Sequence, residues 1–353
     1  MRIAQIAPLF EAVPPKLYGG TERVVSALTE ELVAMGHDVT LFASGDSVTA
    51  AKLDAIRPEA LRLDPSIRDW VSCVNRQVEL VRRRAHDFDI MHFHIDYFPN
   101  SVMTRQSTPF LTTMHGRLDL PELGEIYSLF PDVPMVSISN NQRLPLPDVN
   151  WTATVLHGLP EAKLYPVPQQ TERDYFAFLG RISPEKGIES AIRIAAATGV
   201  TLKVAAKVDV ADRKYFETSV EPLLANANVE FIGEINDAQK PAFLSGARAL
   251  LFPIDWPEPF GLVMIEAMGC GCPVIARRRG SVPEVMEDGV TGFIVENEAE
   301  AIAACGQLHT IDRDRVRQRF LTRWTARRMA QDYVSVYEEL IAARQPRLRA
   351  VGD

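Results

Sequence analysis

Short runs of β-branched and apolar residues alternate with stretches of helical periodicity along nearly the whole chain, and the alternation is laid down twice. Parallel strands need crossover connections long enough to hold a helix, so this order predicts parallel sheets covered by helices. In the first half the strand candidates are 3–8, 38–43, 89–94, 110–115, 135–139 and 152–157. Between the first two, "TERVVSALTEELVAMGH" sets Val24, Val25, Leu28, Leu32 and Val33 on one helical stripe and ends at Gly36, a C′ glycine. Residues 68–85 read as a second amphipathic helix with a basic end.

"LPEAKLYPVPQQTERD" then interrupts the pattern with prolines and polar residues, as an interdomain linker does. Strands are expected again at 175–179, 202–206, 229–232, 249–253, 273–276 and 292–295, with helices at 188–198, 215–225, 240–244 and 261–268. The expected organisation is a first domain over 1–160, a linker over 161–173 and a second domain over 174–325. A periodic last helix falls within 326–353. Open parallel sheets bind ligands at the carboxyl ends of their strands, so two facing sheets define a cleft between those ends.

Composition excludes some function classes. A net charge of −8 argues against a general nucleic-acid binder. The arginine clusters at 82–84, 277–279 and 313–328 read as solvated faces, or as contacts for an anionic ligand or an acidic membrane surface. Cys270 and Cys272 lie in an apolar run without a second pair to complete a zinc site. The amino terminus reads as a strand rather than a signal peptide, and no apolar run reaches the ~20 residues of a membrane span. A cytoplasmic protein is expected, with peripheral membrane contact left open.

Two strand-to-helix loops suit an anion. In "PPKLYGGTER", Gly19 and Gly20 allow close backbone approach and Thr21 is a candidate N-cap, so free N–H groups and the helix dipole would face a ligand. In "FLGRISPEKGIES", Ser183 and Pro184 mark a helix start, yet Arg181 and Lys186 put cations at its positive end. A diphosphate between them would resolve that conflict. No G-x-G-x-x-G opens a helix after a strand, and no Walker A sequence occurs, which removes most support for NAD or ATP chemistry.

The most unusual placement is in "DWPEPFGLVMIEAMGCGCPVIA". Glu258 lies between prolines at the mouth of a helix, and Glu266 sits on that helix among Val263, Ile265, Ala267 and Met268. A carboxylate there is costly unless a partner satisfies it. A sugar diol would serve, because a carboxylate accepts from two hydroxyls. Pairing with a core arginine, or a wet helix face, would also explain it.

The spacing of Glu258 and Glu266 resembles the E-x7-E pattern of retaining enzymes in glycosyltransferase family 4. The resemblance extends in order to the Gly-Gly loop, "GRISPEKG", "EPFG…E", "GSVPEVMEDGVTGFIV" and "MAQDYVSVYEEL". It implies a GT-B fold: two Rossmann-like domains, a cleft, and a last helix crossing back to the first domain. By the same resemblance Arg181 and Lys186 match the pair on the donor diphosphate, Glu258 the residue at the donor sugar and Glu266 the ribose holder. Phe260, Gly261, Leu262 and Val263 match the loop whose N–H groups face phosphate and sugar, and Gly20 matches a glycine near the diphosphate. His115, in "TTMHGRLD", resembles the histidine near the reaction centre.

The implied activity is transfer of a sugar from a UDP- or GDP-sugar to an acceptor hydroxyl with retention of configuration, in glycan, glycolipid or surface polysaccharide synthesis. No cofactor and no metal are expected, and the acceptor, lipid-linked or not, has no readable code. His92, His94 and Asp96 alternate as metal ligands would, but strand-end residues lining an acceptor cleft fit the same spacing. "DRD" at 312–314 lies in an arginine-rich helical region far from the other motifs. A nucleotide-sugar epimerase on the same fold, or a non-catalytic two-lobed sugar-binding protein, would share the architecture.

Overall fold

The computed structural model describes residues 1–16, 19–168, 173–224 and 228–344. The first sheet comprises β1 (Arg2–Ile6), β2 (Asp38–Ser44), β3 (Lys52–Arg57), β4 (Ile90–Phe93), β5 (Phe110–Thr113), β6 (Met135–Ser137) and β7 (Trp151–Thr154). The second comprises β8 (Tyr175–Arg181), β9 (Thr201–Lys207), β10 (Val229–Gly233), β11 (Ala247–Phe252), β12 (Val274–Arg277) and β13 (Gly292–Val295). Their orders are β3-β2-β1-β4-β5-β6-β7 and β10-β9-β8-β11-β12-β13, and the paired strands run parallel throughout.

Both sheets are doubly wound, so each has a switch point where the chain reverses its direction of travel across the sheet. In the first it lies between β1 and β4, and in the second between β8 and β11. The crevices beyond those strand ends are where such sheets bind ligands. The residues that leave these strands are the Gly-Gly loop, His94 to Asp96, Arg181 to Lys186, and Trp256 to Glu258.

β3 has no counterpart among the expected strands. It is an edge strand, largely exposed, reading "KLDAIR" without a continuous apolar run. The helix expected at 215–225 is broken into short α segments around a wide turn at Phe216–Val220, and Ala225 lies outside the described residues. A helix over Glu298–Gln307 adds to those expected, and Arg313–Arg323 forms a helix in the arginine-rich region read as helical.

The last helix, Ala326–Arg344, returns to the first sheet. Its buried Met329, Ala330, Tyr333, Val336 and Tyr337 join one core with Val24, Leu28 and Leu32 of the Gly20–Ala34 helix, and with Ile3, Ile90 and Leu111 of the sheet. Residues 345–353, included in the expected extent of that segment, lie outside the described residues. Gly36 ends the first helix with φ +86°, as its C′ position requires.

The arginine clusters are largely matched by carboxylates of the same chain. Arg82 and Arg83 pair with Glu79, Arg84 with Asp54 and Asp87, Arg277 and Arg279 with Asp255, and Arg319 and Arg323 with Glu287. Asp312 of "DRD" accepts from the backbone N–H groups of Asp314 and Arg315 and caps its helix. Cys270 and Cys272 are buried free thiols. No described helix is long and apolar enough to cross a membrane.

Candidate active site

A cleft of ≈ 570 Å³ opens between the carboxyl ends of the two sheets. Gly19, Gly20, His115, Arg181, Lys186, Glu258, Phe260, Gly261, Leu262, Val263 and Glu266 all line it, although they are spread over most of the chain.

Arg181 is the last residue of β8, half-buried, and is held by Glu185 at 2.8 Å and Asp212 at 3.4 Å. The helix runs over Ile188–Thr198 as its periodicity predicts, but Ser183 and Pro184 do not mark its start. Pro184–Lys186 form one 3-10 turn, Ser183 makes no side-chain cap, and Gly187 at φ +73° breaks the turn from the helix. Lys186 therefore stands at the tip of a turn, ahead of the helix.

Lys186 Nζ donates to Glu258 Oε2 at 2.5 Å, and its ammonium also lies 4.7 Å from the centre of the Trp256 ring. Trp256 Nε1 donates to the same carboxylate oxygen at 3.0 Å. Glu258 thus has two donors within the protein. A phosphate drawing Lys186 away would free that carboxylate for hydroxyls.

Glu266 is the carboxylate whose position the sequence leaves unexplained. It is 3% exposed, and Oε1 accepts from Lys240 Nζ at 2.7 Å. Lys240, itself buried, also reaches Asp237 at 2.9 Å, and Asp237 accepts from Arg23 Nε at 3.1 Å. The partner is a lysine rather than the core arginine the sequence suggested. Among the described residues Glu266 Oε2 has no hydrogen-bond donor, so one oxygen remains for a ligand.

The two glycine-bearing loops meet at the cleft. The first helix begins at Gly20 with Gly19 as N-cap and no side-chain cap, so Thr21 is not the cap the sequence suggested, and Leu17 and Tyr18 lie outside the described residues. A Cβ built on Gly20 would meet only Leu262 Cδ1, at an ordinary 3.6 Å. The protein itself has room for a side chain there, so the glycine leaves that space to a ligand. Gly261 sits at φ +78°, and a Cβ on it would come 2.7 Å from Met264 Cε, so only glycine turns the chain into the Leu262–Gly269 helix here. The Phe260 ring is buried edge-on against His157 and Trp324, which leaves its backbone N–H, not its side chain, as a ligand group.

His115 follows β5 and stacks on His157 at 5.2 Å, and its Nε2 lies 2.8 Å from His94 Nδ1. Burial lowers its pKa to about 3, so the ring is neutral. His92 lies beneath the cleft wall rather than on it, bonded to Tyr337 and Thr113, while His94 bonds His115 and Gln5. Their nitrogens are thus engaged within the protein, and among the described residues no group of three or more His, Cys, Asp or Glu is disposed to hold a metal.

Several cleft residues carry no signal of their own in the sequence. Lys240 and Trp256 touch the two glutamates only through the fold. Asp96, which the sequence does offer as a strand-end residue lining an acceptor cleft, has φ +52° and faces the cleft. The protein packed around it raises its carboxyl above the ordinary carboxylate range. Glu22, in the first turn beside Gly19, is buried, and desolvation raises it to about 6. On the first domain's side, Phe10, Trp70 and Phe98 form an aromatic wall with ring centres 5.4 Å and 5.9 Å apart. Aromatic residues scattered at 10, 70 and 98 give no pattern from which to read that wall.

Two facing doubly wound domains with cations, carboxylates and helix amino termini around one cleft make up the GT-B architecture. Glycosyltransferase Family 4 matches residues 18–183, and Glycosyl transferases group 1 matches residues 165–314. The chain belongs to the family 4 type of glycosyltransferase.

Among its relatives, an uncharacterised 41.2 kDa protein in the cps region of Klebsiella pneumoniae is 29% identical over 48% of this chain and 47% of that protein. N-acetyl-alpha-D-glucosaminyl L-malate synthase of Bacillus anthracis is 23% identical over 92% of this chain and 94% of its own length. In fold, the chain resembles sucrose-phosphate synthase of Thermosynechococcus elongatus, with TM-score 0.79, 20% identity and 97% and 99% of the two chains covered. It also resembles Anabaena HepE in complex with UDP and glucose, with TM-score 0.74, 17% identity and 95% and 99% covered.

Proposed function

We propose that the protein transfers a sugar from a nucleoside diphosphate sugar to an acceptor hydroxyl with retention of configuration and without a metal ion. The observation that carries this reading is the convergence of Arg181, Lys186, Glu258, Glu266 and the Gly19–Gly20 and Phe260–Val263 loops on one cleft. The UDP and glucose named for the HepE complex support a donor of this class.

On this reading the diphosphate lies between Arg181, Lys186 and the two helix amino termini, where preorganised charge stabilises the leaving group. Lys186 exchanges its carboxylate for phosphate, and Glu258 accepts the donor sugar's hydroxyls. The free oxygen of Glu266 accepts from the ribose, while Lys240 holds the carboxylate in place. No protein carboxylate is assigned as nucleophile: the leaving phosphate takes the acceptor's proton on the face it departs from. The aromatic wall of Phe10, Trp70 and Phe98 offers the acceptor an apolar surface, and Asp96 a hydroxyl-accepting oxygen beside it.

The test is incubation with UDP- and GDP-sugars in EDTA, following release of the nucleoside diphosphate and the anomeric configuration of the product. Arg181→Ala should lower turnover at saturating donor by about 10²-fold or more. Undiminished turnover in that variant would remove the charge-stabilising role. An inverted product would remove the retaining mechanism.

A further inference from the structure

Behind His115 a line of hydrogen bonds runs from the cleft wall into the core and ends on the C-terminal helix. His115 Nε2 and His94 Nδ1 are 2.8 Å apart, His94 Nε2 is 2.8 Å from Gln5 Oε1, and Gln5 Nε2 donates to Tyr337 Oη at 3.0 Å. Tyr337 Oη is 2.7 Å from His92 Nδ1, His92 Nε2 is 2.7 Å from Thr113 Oγ1, and Thr113 Oγ1 is 2.8 Å from Tyr333 Oη. Every member behind His115 is buried.

The chemistry of the partners sets a direction. Gln5 Oε1 only accepts, so the proton of His94 sits on Nε2. Burial holds His92 and His94 well below the ordinary imidazole range, so each ring is neutral and carries one N–H. His94 Nδ1 is then a bare lone pair, and His115 donates to it from Nε2. On the other side Gln5 Nε2 donates to Tyr337, Tyr337 donates to His92 Nδ1, and His92 Nε2 donates to Thr113. Each of these bonds points the same way along the line, away from His115.

Turning the Gln5 amide over would reverse all of them and put the proton of His115 on Nδ1. That atom is buried and has no hydrogen-bond partner among the described residues. A ring N–H stranded there is costlier than a bare lone pair, whereas the far end of the line is a pair of hydroxyls, Thr113 and Tyr333, either of which can donate to the other. The amide orientation and the cost at the histidine end select the same direction.

We propose that Gln5, His94 and Tyr337 are positioning residues that hold His115 as its Nε2–H tautomer, with no ring N–H left to offer the cleft. This deepens the glycosyltransfer reading and rests on it for the identity of the leaving group that the ring does not protonate. A neutral ring whose single proton is committed inward cannot donate to the leaving phosphate, so that charge falls to Arg181 and Lys186. The C-terminal helix thereby acts on the reaction cleft through Tyr337, without lining it.

The test uses the full chain labelled with 15N-histidine, free of substrate, with ring nitrogens assigned through single-histidine variants. His115, His94 and His92 should each show an unprotonated, pyridine-type Nδ1 and a protonated, pyrrole-type Nε2. A pyrrole-type or averaged Nδ1 at His115 overturns the proposal. Tyr337→Phe, folded by circular dichroism, should move His115 toward averaging and lower kcat for nucleotide-sugar turnover by about 10-fold, with donor KM nearly unchanged. A folded Tyr337→Phe protein with the unaltered His115 signature and kcat also overturns it. If that variant does not fold, the wild-type spectrum alone decides. Because the spectrum needs no substrate, a failed glycosyltransfer reading appears separately, as the expected tautomer in a protein that turns over no donor.

Discussion

Buried among apolar neighbours, Glu266 needs a cation, and Lys240 supplies it from 26 residues away in sequence. Removing one member of such a pair strands the other charge, at a cost of about 3–5 kcal/mol. Lys240→Met should therefore lower the unfolding free energy by that order, and adding Glu266→Gln should recover much of it, both read from denaturant midpoints. A Lys240→Met protein as stable as wild type would show that the pair does not hold the carboxylate in place. Glu22 gives a second residue-scale expectation. Burial raises it from 4.5 to about 6, so the folded state keeps the proton longer than the unfolded chain. The stability this contributes is complete below pH 4.5 and is lost as pH rises through about 6. Glu22→Gln should thus be more stable than wild type by about 2 kcal/mol at pH 8 and no more stable at pH 4. Equal gains at both pH values would rule out a titration origin.

At the scale of elements, the site is held by backbone packed against backbone. Gly280 has φ +54°, and a Cβ there would lie 2.3 Å from the carbonyl oxygen of Glu258. Ser281 N–H donates to that same carbonyl at 2.9 Å, so the loop carrying Glu258 rests on the turn before the Val282–Val285 helix. Gly280→Ala should displace the Glu258 loop and weaken binding of UDP- or GDP-sugars by about 10-fold or more, measured by calorimetry. Unchanged affinity would mean that the loop position does not govern donor binding. Much of this scale is legible in sequence: the strands at the switch points, Gly36 and the Leu262–Gly269 helix fall where periodicity and turn chemistry put them. β3 is not legible, because an exposed edge strand needs no apolar run. The helix at Ile188–Thr198 likewise falls where periodicity puts it, whereas the separate 3-10 turn at Pro184–Lys186 is hidden, because spacing does not reveal that Gly187 adopts a left-handed conformation.

At the scale of the molecule, the two lobes are tied across the cleft. Arg23, from the first helix, donates to Asp237 at 3.1 Å, and Asp237 shares Lys240 with Glu266. Glu284 accepts from the backbone N–H groups of Asn140 and Asn141 at 2.8 Å and 2.7 Å, joining the second domain to the first. Partly exposed pairs contribute little to global stability, about 1 kcal/mol or less, yet they act on the relation between lobes. Arg23→Ala should leave the unfolding midpoint nearly unchanged while raising the radius of gyration of the unliganded protein in X-ray scattering. An identical scattering curve would show that this pair does not hold the lobes together.

By itself the sequence determined two parallel α/β domains, a linker, a returning helix and a set of residues whose types suit a sugar nucleotide. Those follow from period, turn residues and charge, which are local or nearly so. Only the tertiary structure decided which charges meet: Lys186 with Glu258, Lys240 with Glu266, Arg23 with Asp237. The same holds for the direction in which a buried histidine line carries its protons. Such pairings depend on which strand ends and helix faces the sheet order brings within about 3 Å, and that distance is set by the packing of whole domains.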